Sequence, residues 1–190
     1  VLLENKNNTL PFFIILKSVA VIGPNANDAD VLLGNYNGYP SKIGTPLMGI
    51  KAKLPNAKVE FAQGCRLADE LPYLTAIPAG NFYTDNTLKK KGLAASYYDG
   101  YEFKGTVKHR RIDKNIDFVW WDKAPFEDMK DTQYSVRWTG VLVPPVTGKY
   151  AIGGEGFAGF NFYLNDSLLV KTKPNGHHSS KDYAYVELEA

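Results

Sequence analysis

The stretch from residue 134 to residue 170 constrains the fold most, because its residues alternate between two faces and turns interrupt it at short intervals. Apolar or small residues occupy every second position at its start, which places them on one face of an extended chain: Val136, Trp138, Gly140 and Leu142. Pro144 and Pro145 remove two backbone donors and end this strand. Asn165 and Asp166 tolerate positive φ and predict a tight hairpin turn. Short strands separated by such turns predict an antiparallel β-sandwich or barrel.

The charge balance of the chain argues against two classes of partner. The 190 residues carry a formal net charge of +2, so no strong field favours nucleic acid or an anionic lipid surface. The basic run at residues 89–91 is typical of a solvated linker. The apolar run at residues 10–16 is far too short to cross a bilayer. We therefore expect no nucleic acid and no membrane among the partners.

The first sixty residues predict a β-α-β unit. Residues 18–23 form a continuous apolar run that ends at Gly-Pro, a pattern typical of a strand buried on both faces of a parallel sheet. Thr45 suits a helix N-cap, and Pro46 suits the first helical position. Residues 58–62 alternate as a second strand. Strand, helix and strand in this order predict a right-handed crossover between parallel strands.

Two parallel strands and one helix cannot cover both faces of a sheet. We therefore expect residues 1–64 to be the opening part of an α/β domain that polypeptide outside this chain completes. The alternative is that this partial α/β unit docks on the β domain as an appendage. Residues 65–91 are interpreted as a connector, with one helical turn near residues 67–71.

The predicted fold class is mainly β, with an antiparallel sandwich or barrel preceded by the partial α/β unit. The β domain is expected over residues 92–190 and is expected to be incomplete at its C-terminus. Asp99 and Gly100 predict a turn, followed by a strand over residues 101–107. Residues 115–121 predict another strand or extended segment. Residues 183–188 predict a late strand.

Several motifs of the first third of the chain resemble the second, α/β-sandwich domain of glycoside hydrolase family 3. They are, in the family's order, VLLEN at residues 1–5, VAVIGPNA at 19–26, LGNYNG at 33–38, TPLMGI at 45–50 and FAQGC at 61–65. The β domain is similar to the domain first seen in anthrax protective antigen, the "PA fourteen" sandwich. That similarity rests on GLAASYY at residues 92–98, NIDFVW at 115–120, SVRWTG at 135–140 and FNFYL at 160–164. Many family 3 enzymes carry this domain inserted at this point.

The resemblance implies that the parent protein is an O-glycosyl hydrolase, a β-glucosidase or a β-xylosidase, located in the periplasm or secreted. In this family the nucleophilic Asp lies in a preceding barrel and the acid/base Glu lies further along the α/β domain. Neither region matches this chain, so we expect no catalytic residue in it, no cofactor and no glycosidase activity of the isolated chain. The implied partners are a β-linked oligosaccharide and the barrel and remaining α/β domain of the same enzyme.

The glycine-rich run at residues 154–159 matches the dinucleotide pattern G-x-G-x-x-G, but a strand follows it where that fold needs a helix. The glycines are therefore interpreted as a sharp loop between strands, with Glu155 and Phe157 at its tip. In sugar-binding members of the protective-antigen-type family, two aspartates in this loop hold calcium. Phe157 and Ala158 occupy those positions, so the resemblance implies no calcium site. We expect the Phe157 loop to contact carbohydrate.

Trp120 and Trp121 point to opposite faces if the segment is extended. Either both are buried, or one is exposed and stacks on a sugar ring. The acidic residues between positions 122 and 131 do not have calcium-loop spacing, and no His or Cys spacing indicates zinc, so we predict no metal site. Cys65 is the only cysteine and is typical of a small packed residue rather than a nucleophile.

Three functions remain open on the sequence. The first is a part of a family 3 exo-acting β-glycosidase, in which the β domain shapes substrate access or binds carbohydrate; glucosides and xylosides are both open as substrates. The second is a stand-alone carbohydrate-binding or adhesion module without enzymatic activity, and the third is a structural interaction domain with no sugar ligand. The α/β opening in the first third of the chain favours the enzyme, because an adhesin has no evident use for it.

Overall fold

The chain forms two compact units, Val1–Tyr73 and Leu74–Ala190. The structure is a computed structural model that describes residues 4–8, 10–11, 15–33, 38, 40–66, 68, 71–72, 74–120, 123–174 and 179–190. The two units are described separately below.

The first unit contains the predicted β-α-β arrangement. Strand β1 is Ser18–Ile22, helix α1 is Pro46–Lys53 and strand β2 is Lys58–Ala62. The two strands pair in parallel and in register, from Ser18 opposite Lys58 to Ile22 opposite Ala62. Thr45 caps the helix as predicted, because its Oγ1 accepts a hydrogen bond from the Met48 backbone N–H at 3.2 Å. The same hydroxyl donates to Asn27 Oδ1 at 3.1 Å.

Burial of β1 is lower than its apolar sequence predicts. Val21 is buried, but Ile22 is 67% exposed. In the described residues the sheet of this unit has two strands, β1 and β2. A two-stranded sheet beside one eight-residue helix offers too little surface to cover both faces of a strand. Val21 of β1 and Leu47 of α1 are the buried hydrophobic residues in the described part of this unit.

The second unit is built from antiparallel strands, as predicted. In its described part the strands are β3 Phe82–Tyr83, β4 Leu93–Asp99, β5 Thr106–Asp113, β6 Ser135–Thr139, β7 Val141–Leu142, β8 Gly148–Gly156, β9 Asn161–Leu164, β10 Ser167–Lys171 and β11 Ser180–Leu188. Strand β4 lies between β5 and β6, while β3 pairs with β7, β8 with β11 and β9 with β10. The predicted hairpin turn joins β9 to β10, with φ of 48° at Asn165 and 63° at Asp166.

Two local predictions differ from the structure. The strand predicted over residues 101–107 is wrong in its first part: Tyr101–Phe103 is a 3-10 turn, and β5 begins at Thr106. The chain doubles back there because Gly105 approaches the backbone of Asp99 and Gly100 closely. Of the two alternatives predicted for residues 115–121, a strand is not formed over residues 115–120; Phe118 and Trp120 of this segment stack on Trp138. The strand expected to run from 136 through 142 is split at Gly140, where a Cβ would lie 2.6 Å from the Tyr83 carbonyl oxygen.

The connector predicted over residues 65–91 also contains regular structure. Strand β3 lies inside it and pairs with β7, Phe82 opposite Leu142. The chain then folds back, because the Thr84 N–H donates to the Lys90 carbonyl and the Gly92 N–H donates to the Phe82 carbonyl, both at 2.9 Å. The second half of the predicted connector therefore belongs to the second unit.

A buried carboxylate organises the core of the second unit. The Asp113 side chain is 4% exposed. Its Oδ2 accepts hydrogen bonds from the Tyr97 hydroxyl at 2.5 Å and from Trp138 Nε1 at 2.7 Å. Its Oδ1 accepts from Arg111 Nε. One donor from each of the three strands of this sheet, β5, β4 and β6, thus converges on the Asp113 side chain.

Aromatic rings surround this network. Tyr97 is completely buried and makes edge contacts with Phe126, Trp120 and Trp138. Burial and the hydrogen bond to Asp113 raise the pKa of its hydroxyl above the ordinary range. The Arg111 guanidinium lies over the Tyr97 ring at 4.8 Å and over the Phe126 ring at 4.9 Å. The cluster fixes the inner face of the β5–β4–β6 sheet.

The pair formed by His109 and Asp128 predicts that the stability of the second unit depends on pH. His109 Nε2 lies 2.7 Å from Asp128 Oδ1, and this hydrogen bond holds the pKa of Asp128 below its ordinary value. A lowered native pKa stabilises the fold above about pH 3.9, the ordinary Asp pKa, and that stabilisation is lost as pH falls through the lowered value. The urea midpoints of the parent chain and Asp128→Asn should therefore differ at pH 7 and converge towards pH 2.

Asp117→Asn is the control for this measurement, because Asp117 is also exposed. A difference between the parent chain and Asp128→Asn that stays constant from pH 7 to pH 2 would contradict the linkage.

Candidate carbohydrate-binding site

The outer face of the β8–β11 ribbon carries the candidate site. The two strands pair over their full lengths, from Gly148 opposite Leu188 to Gly156 opposite Ser180. Directly paired residues of an antiparallel ladder point to the same face. One face holds Ile152, which is buried, and the other holds polar and aromatic side chains that are mostly exposed, with Tyr183 half-buried. The members of this outer face are Lys149, Ala151, Gly153 and Glu155 on β8, and Lys181, Tyr183, Tyr185 and Glu187 on β11.

Two tyrosines dominate the outer face. The Tyr183 and Tyr185 rings lie 5.7 Å apart at an interplanar angle of 86°. Tyr185 is 53% exposed, and Lys149 Nζ lies 4.9 Å from its ring centroid. The residues opposite the tyrosines are Ala151 and Gly153, which have little or no side chain. The two aromatic rings therefore lie beside a part of β8 that has little side-chain bulk.

Glu155 lies in a different position from the predicted one. The sequence places it at the tip of a sharp loop, but the structure places it within β8, opposite Lys181. Its Oε2 lies 3.4 Å from Lys181 Nζ, and its Oε1 accepts a hydrogen bond from Ser179 Oγ at 2.8 Å. Glu155 thus closes one end of the outer face.

Phe157 follows directly after β8, in a bend. Its side chain is 58% exposed. The chain re-enters the unit at Phe160, whose N–H donates to Thr172 Oγ1 at 3.0 Å. The predicted tip of the loop is therefore at Phe157, next to the end of the outer face that Glu155 closes.

Trp120 packs against the hydrophobic core of the second unit. It is half-buried and contacts four aromatic rings: Tyr97, Phe118, Tyr134 and Trp138. Desolvation raises the pKa of Tyr134 within this cluster. Trp120 thus contributes to packing, and carbohydrate binding by it stays a prediction. Trp121, predicted beside it, lies outside the described residues.

The described residues contain no group of three or more His, Cys, Asp or Glu side chains close enough to hold a metal ion. Two acidic residues after position 122 make other contacts: Asp128 pairs with His109, and Asp131 Oδ1 accepts the Ala124 N–H at 3.0 Å. Asp122, His177 and His178 lie outside the described residues. As for membranes, the helices that the structure describes are all too short or too polar to serve as a span.

The outer face has the chemistry of a shallow sugar site. Aromatic rings present apolar area with a polar hydroxyl at one end. Carboxylate and ammonium groups at the edge of such a surface can accept from or donate to hydroxyl groups. Sequence reasoning missed Tyr183 and Tyr185 as site residues, although their alternation in the predicted strand over residues 183–188 already placed them on one face.

Comparison with known proteins agrees with the architecture of the second unit. The PA14 domain model matches residues 89–188. A xylan 1,4-beta-xylosidase of Xylanibacter ruminicola is 30% identical over 172 residues, which are 87% of this chain and 19% of that protein. An anti-sigma-I factor of Acetivibrio thermocellus is 30% identical over 118 residues, 60% of this chain and 18% of that protein. The chain therefore spans about a fifth of these relatives.

A solved structure, that of a beta-glucosidase from Kluyveromyces marxianus, has the same fold over 100% of this chain and 24% of its own, with a TM-score of 0.58 and 22% identity. The domain match covers more than half of the chain and coincides with the antiparallel second unit. The chain belongs to the PA14 domain family, and its homologues include β-xylosidases and β-glucosidases of glycoside hydrolase family 3, of which it matches one part.

Proposed function

We propose that this chain is part of a family 3 exo-acting β-glycosidase that removes terminal β-xylosyl or β-glucosyl residues, and that its PA14 domain contacts the oligosaccharide. One observation carries the proposal. The match to the xylan 1,4-beta-xylosidase extends over 172 residues, more than residues 74–190 contain, so it includes both units in one relative. A PA14 domain shared by itself would not extend into the β-α-β unit.

The first unit supports the same proposal. Its β1 and β2 strands form a parallel pair with exposed apolar side chains, Ile22 and Phe61 among them. Parallel sheets are normally covered on both faces. In the proposed enzyme, the remaining α/β domain covers these side chains, and the barrel of the same enzyme supplies the catalytic nucleophile. A periplasmic or secreted location is part of this proposal, because polymeric substrates of this kind are met outside the cytoplasm.

The PA14 domain would act on substrate access through the outer face and the adjoining Phe157 bend. Tyr183 and Tyr185 present apolar ring surface, and Glu155 and Lys181 present hydrogen-bonding groups beside it. Phe157 adds a largely exposed ring at the end of β8. Sugar units beyond the one being cleaved would contact these side chains, so the domain would affect long substrates more than short ones.

In the intact enzyme, Phe157→Ala and Tyr185→Ala should each lower kcat/KM for a xylo-tetraose substrate about three- to tenfold and leave an aryl β-xyloside almost unchanged. The reason is that an exposed aromatic contact contributes about 1 kcal/mol and only the longer substrate reaches it. Initial rates with mono- to tetrasaccharides measure this ratio, in parallel xylo- and cello-series.

Tyr163→Ala is the matched control, because Tyr163 is 55% exposed but lies on β9, outside the outer face. Absence of xylose or glucose release from every substrate would refute the glycosidase assignment. Release with a ratio that neither variant changes would refute only the role of the PA14 domain.

A second candidate function is a carbohydrate-binding or adhesion module without enzymatic activity. The observation in its favour is that the anti-sigma-I factor, whose name indicates no glycosidase, shares 118 residues with this chain at 30% identity. Oligosaccharide binding without release of sugar by the intact protein would favour this second candidate.

A further inference from the structure

A second surface, on the β5–β4–β6 sheet, brings two arginines to either side of one small residue. Ser96 on the central strand β4 pairs with Arg110 on β5 and with Arg137 on β6. Directly paired residues lie on the same face with Cβ atoms about 5 Å apart. Arg110 and Arg137 therefore flank Ser96 on one face, with about 10 Å between their Cβ atoms. We call this face the arginine face.

The arginine face is the solvent side of the sheet. The neighbouring row, Arg111, Ala95 and Trp138, points the opposite way, into the aromatic core around Asp113. Arg110 and Arg137 are exposed. Ala94 pairs with Ile112 and Thr139 in the next row of the same face. This row adds apolar surface and a hydroxyl group beside the two guanidinium groups.

Small side chains along β4 leave a shallow hollow on this face. The hollow has a volume of about 560 Å³, and its lining residues on the arginine face are Ala94, Ser96, Arg110 and Ile112. Arg110 forms one side of it, and Arg137 lies across Ser96 by strand register. Two long cationic side chains on either side of a residue as small as serine can reach one ligand from both sides.

Neither arginine of this face is neutralised within the part of the chain that the structure describes. No carboxylate lies within 4.0 Å of the Arg110 or Arg137 guanidinium in those residues, whereas Arg111 on the inner face pairs with Asp113. Lys108, also exposed, has Asp99 at 4.0 Å. The face is therefore locally cationic in a chain of net charge only +2.

Arg137 is held in place by an aromatic ring. Its guanidinium carbon lies 4.4 Å from the Phe103 ring centroid. The Phe103 N–H donates to Ser135 Oγ at 3.0 Å, and the same hydroxyl donates to the Gly100 carbonyl at 2.7 Å. A guanidinium packed on a ring keeps its donor edge for another partner and loses little freedom on binding.

We propose that the arginine face binds the carboxylate of an acidic sugar, a uronate carried by an oligosaccharide. Planar guanidinium groups match a carboxylate in two-point geometry. The hydroxyls of Ser96 and Thr139 can pair with ring hydroxyls, and Ala94 and Ile112 offer apolar surface to the ring. The sugar part of the ligand rests on the proposed function; the carboxylate part rests on the two arginines alone.

The test is calorimetric titration of this chain with three ligands: a uronate-substituted xylo-oligosaccharide, the neutral oligosaccharide of the same length, and inorganic phosphate. The parent chain should bind the acidic oligosaccharide about tenfold more tightly than the other two. Arg110→Gln and Arg137→Gln should each remove about three- to fivefold of that affinity, as expected for solvent-exposed charge pairs. Arg110→Lys should recover only part of it, because it keeps the charge but lacks the two-point fork.

Arg66→Gln is the control, since it removes an equal charge from an exposed residue of the first unit. Equal affinity of the parent chain for the acidic and neutral oligosaccharides, or no binding of either, would overturn the inference. A loss of affinity with Arg66→Gln as large as with Arg110→Gln would show that binding reflects general charge attraction and not this face. Equally tight binding of phosphate would show that the face binds an anion without recognising the sugar. Neutral binding without an acidic preference would leave the proposed function intact.

Discussion

Asp113→Ala is expected to destabilise the second unit by about 3–5 kcal/mol, the largest effect of any single substitution considered for this chain. The substitution leaves the Tyr97 hydroxyl and the Trp138 Nε1–H without their acceptor inside the core. Each unsatisfied buried donor costs about 1–3 kcal/mol. It also removes the carboxylate that pairs with Arg111, whose side chain is 36% exposed and can still reach water. Guanidinium unfolding followed by Trp fluorescence measures the loss.

Two further variants separate the hydrogen bonds from the general cost of substitution. Asp113→Asn keeps the shape and one acceptor oxygen, so it should cost less than Asp113→Ala. Asp117→Ala, at an exposed position in the same unit, should shift stability by about 0.5 kcal/mol or less. An Asp113→Ala protein that unfolds within 1 kcal/mol of the parent chain would show that the network does not stabilise the unit.

Gly153→Ala is expected to cost about 2–3 kcal/mol and to disrupt pairing of β8 with β11. A Cβ at this position would lie 2.6 Å from Tyr183 Cα and would also overlap the Asp182 carbonyl oxygen. Both contacts are with the backbone of β11, which cannot rotate away as a flexible side chain would. Denaturant unfolding measures the cost, and amide hydrogen exchange over residues 180–188 shows whether the ladder opens.

Gly148→Ala provides the comparison within the same strand. A Cβ at Gly148 meets no atom within 4 Å, so alanine there should be nearly neutral. Because Tyr183 lies opposite Gly153, the Gly153→Ala variant should also weaken oligosaccharide binding at the outer face. Equal stability of the two alanine variants would show that the close approach of the strands does not constrain this position.

Local signals predicted several elements correctly. Thr45 and Pro46 marked the start of α1, since capping and a preset φ depend on adjacent residues only. Asn165 and Asp166 marked the β9–β10 turn for the same reason. The strand over residues 101–107 failed, because the tight approach of Gly105 to Asp99 is a contact between segments that no alternation pattern encodes.

The candidate site, too, was predicted correctly only where local sequence decides the structure. Phe157 was predicted and lies in the bend after β8, while Glu155 proved to lie inside the ladder with Lys181. The glycine-rich sequence predicted a loop, but β8 continues to Gly156 because its backbone pairs with β11, a contact between segments far apart in the chain. Tyr183 and Tyr185 could have been found from their alternation alone.

The sequence by itself determined the β-α-β opening, the antiparallel class of the second unit and the resemblance that the family match confirms, because period, caps and turns are properties of neighbouring residues. Only the tertiary structure decided that Asp113 is buried beneath three donors, that Ser96 stands between Arg110 and Arg137, and that Tyr183 and Tyr185 face Gly153 and Ala151. These placements depend on strand register, and register is settled by pairing between segments far apart in the chain.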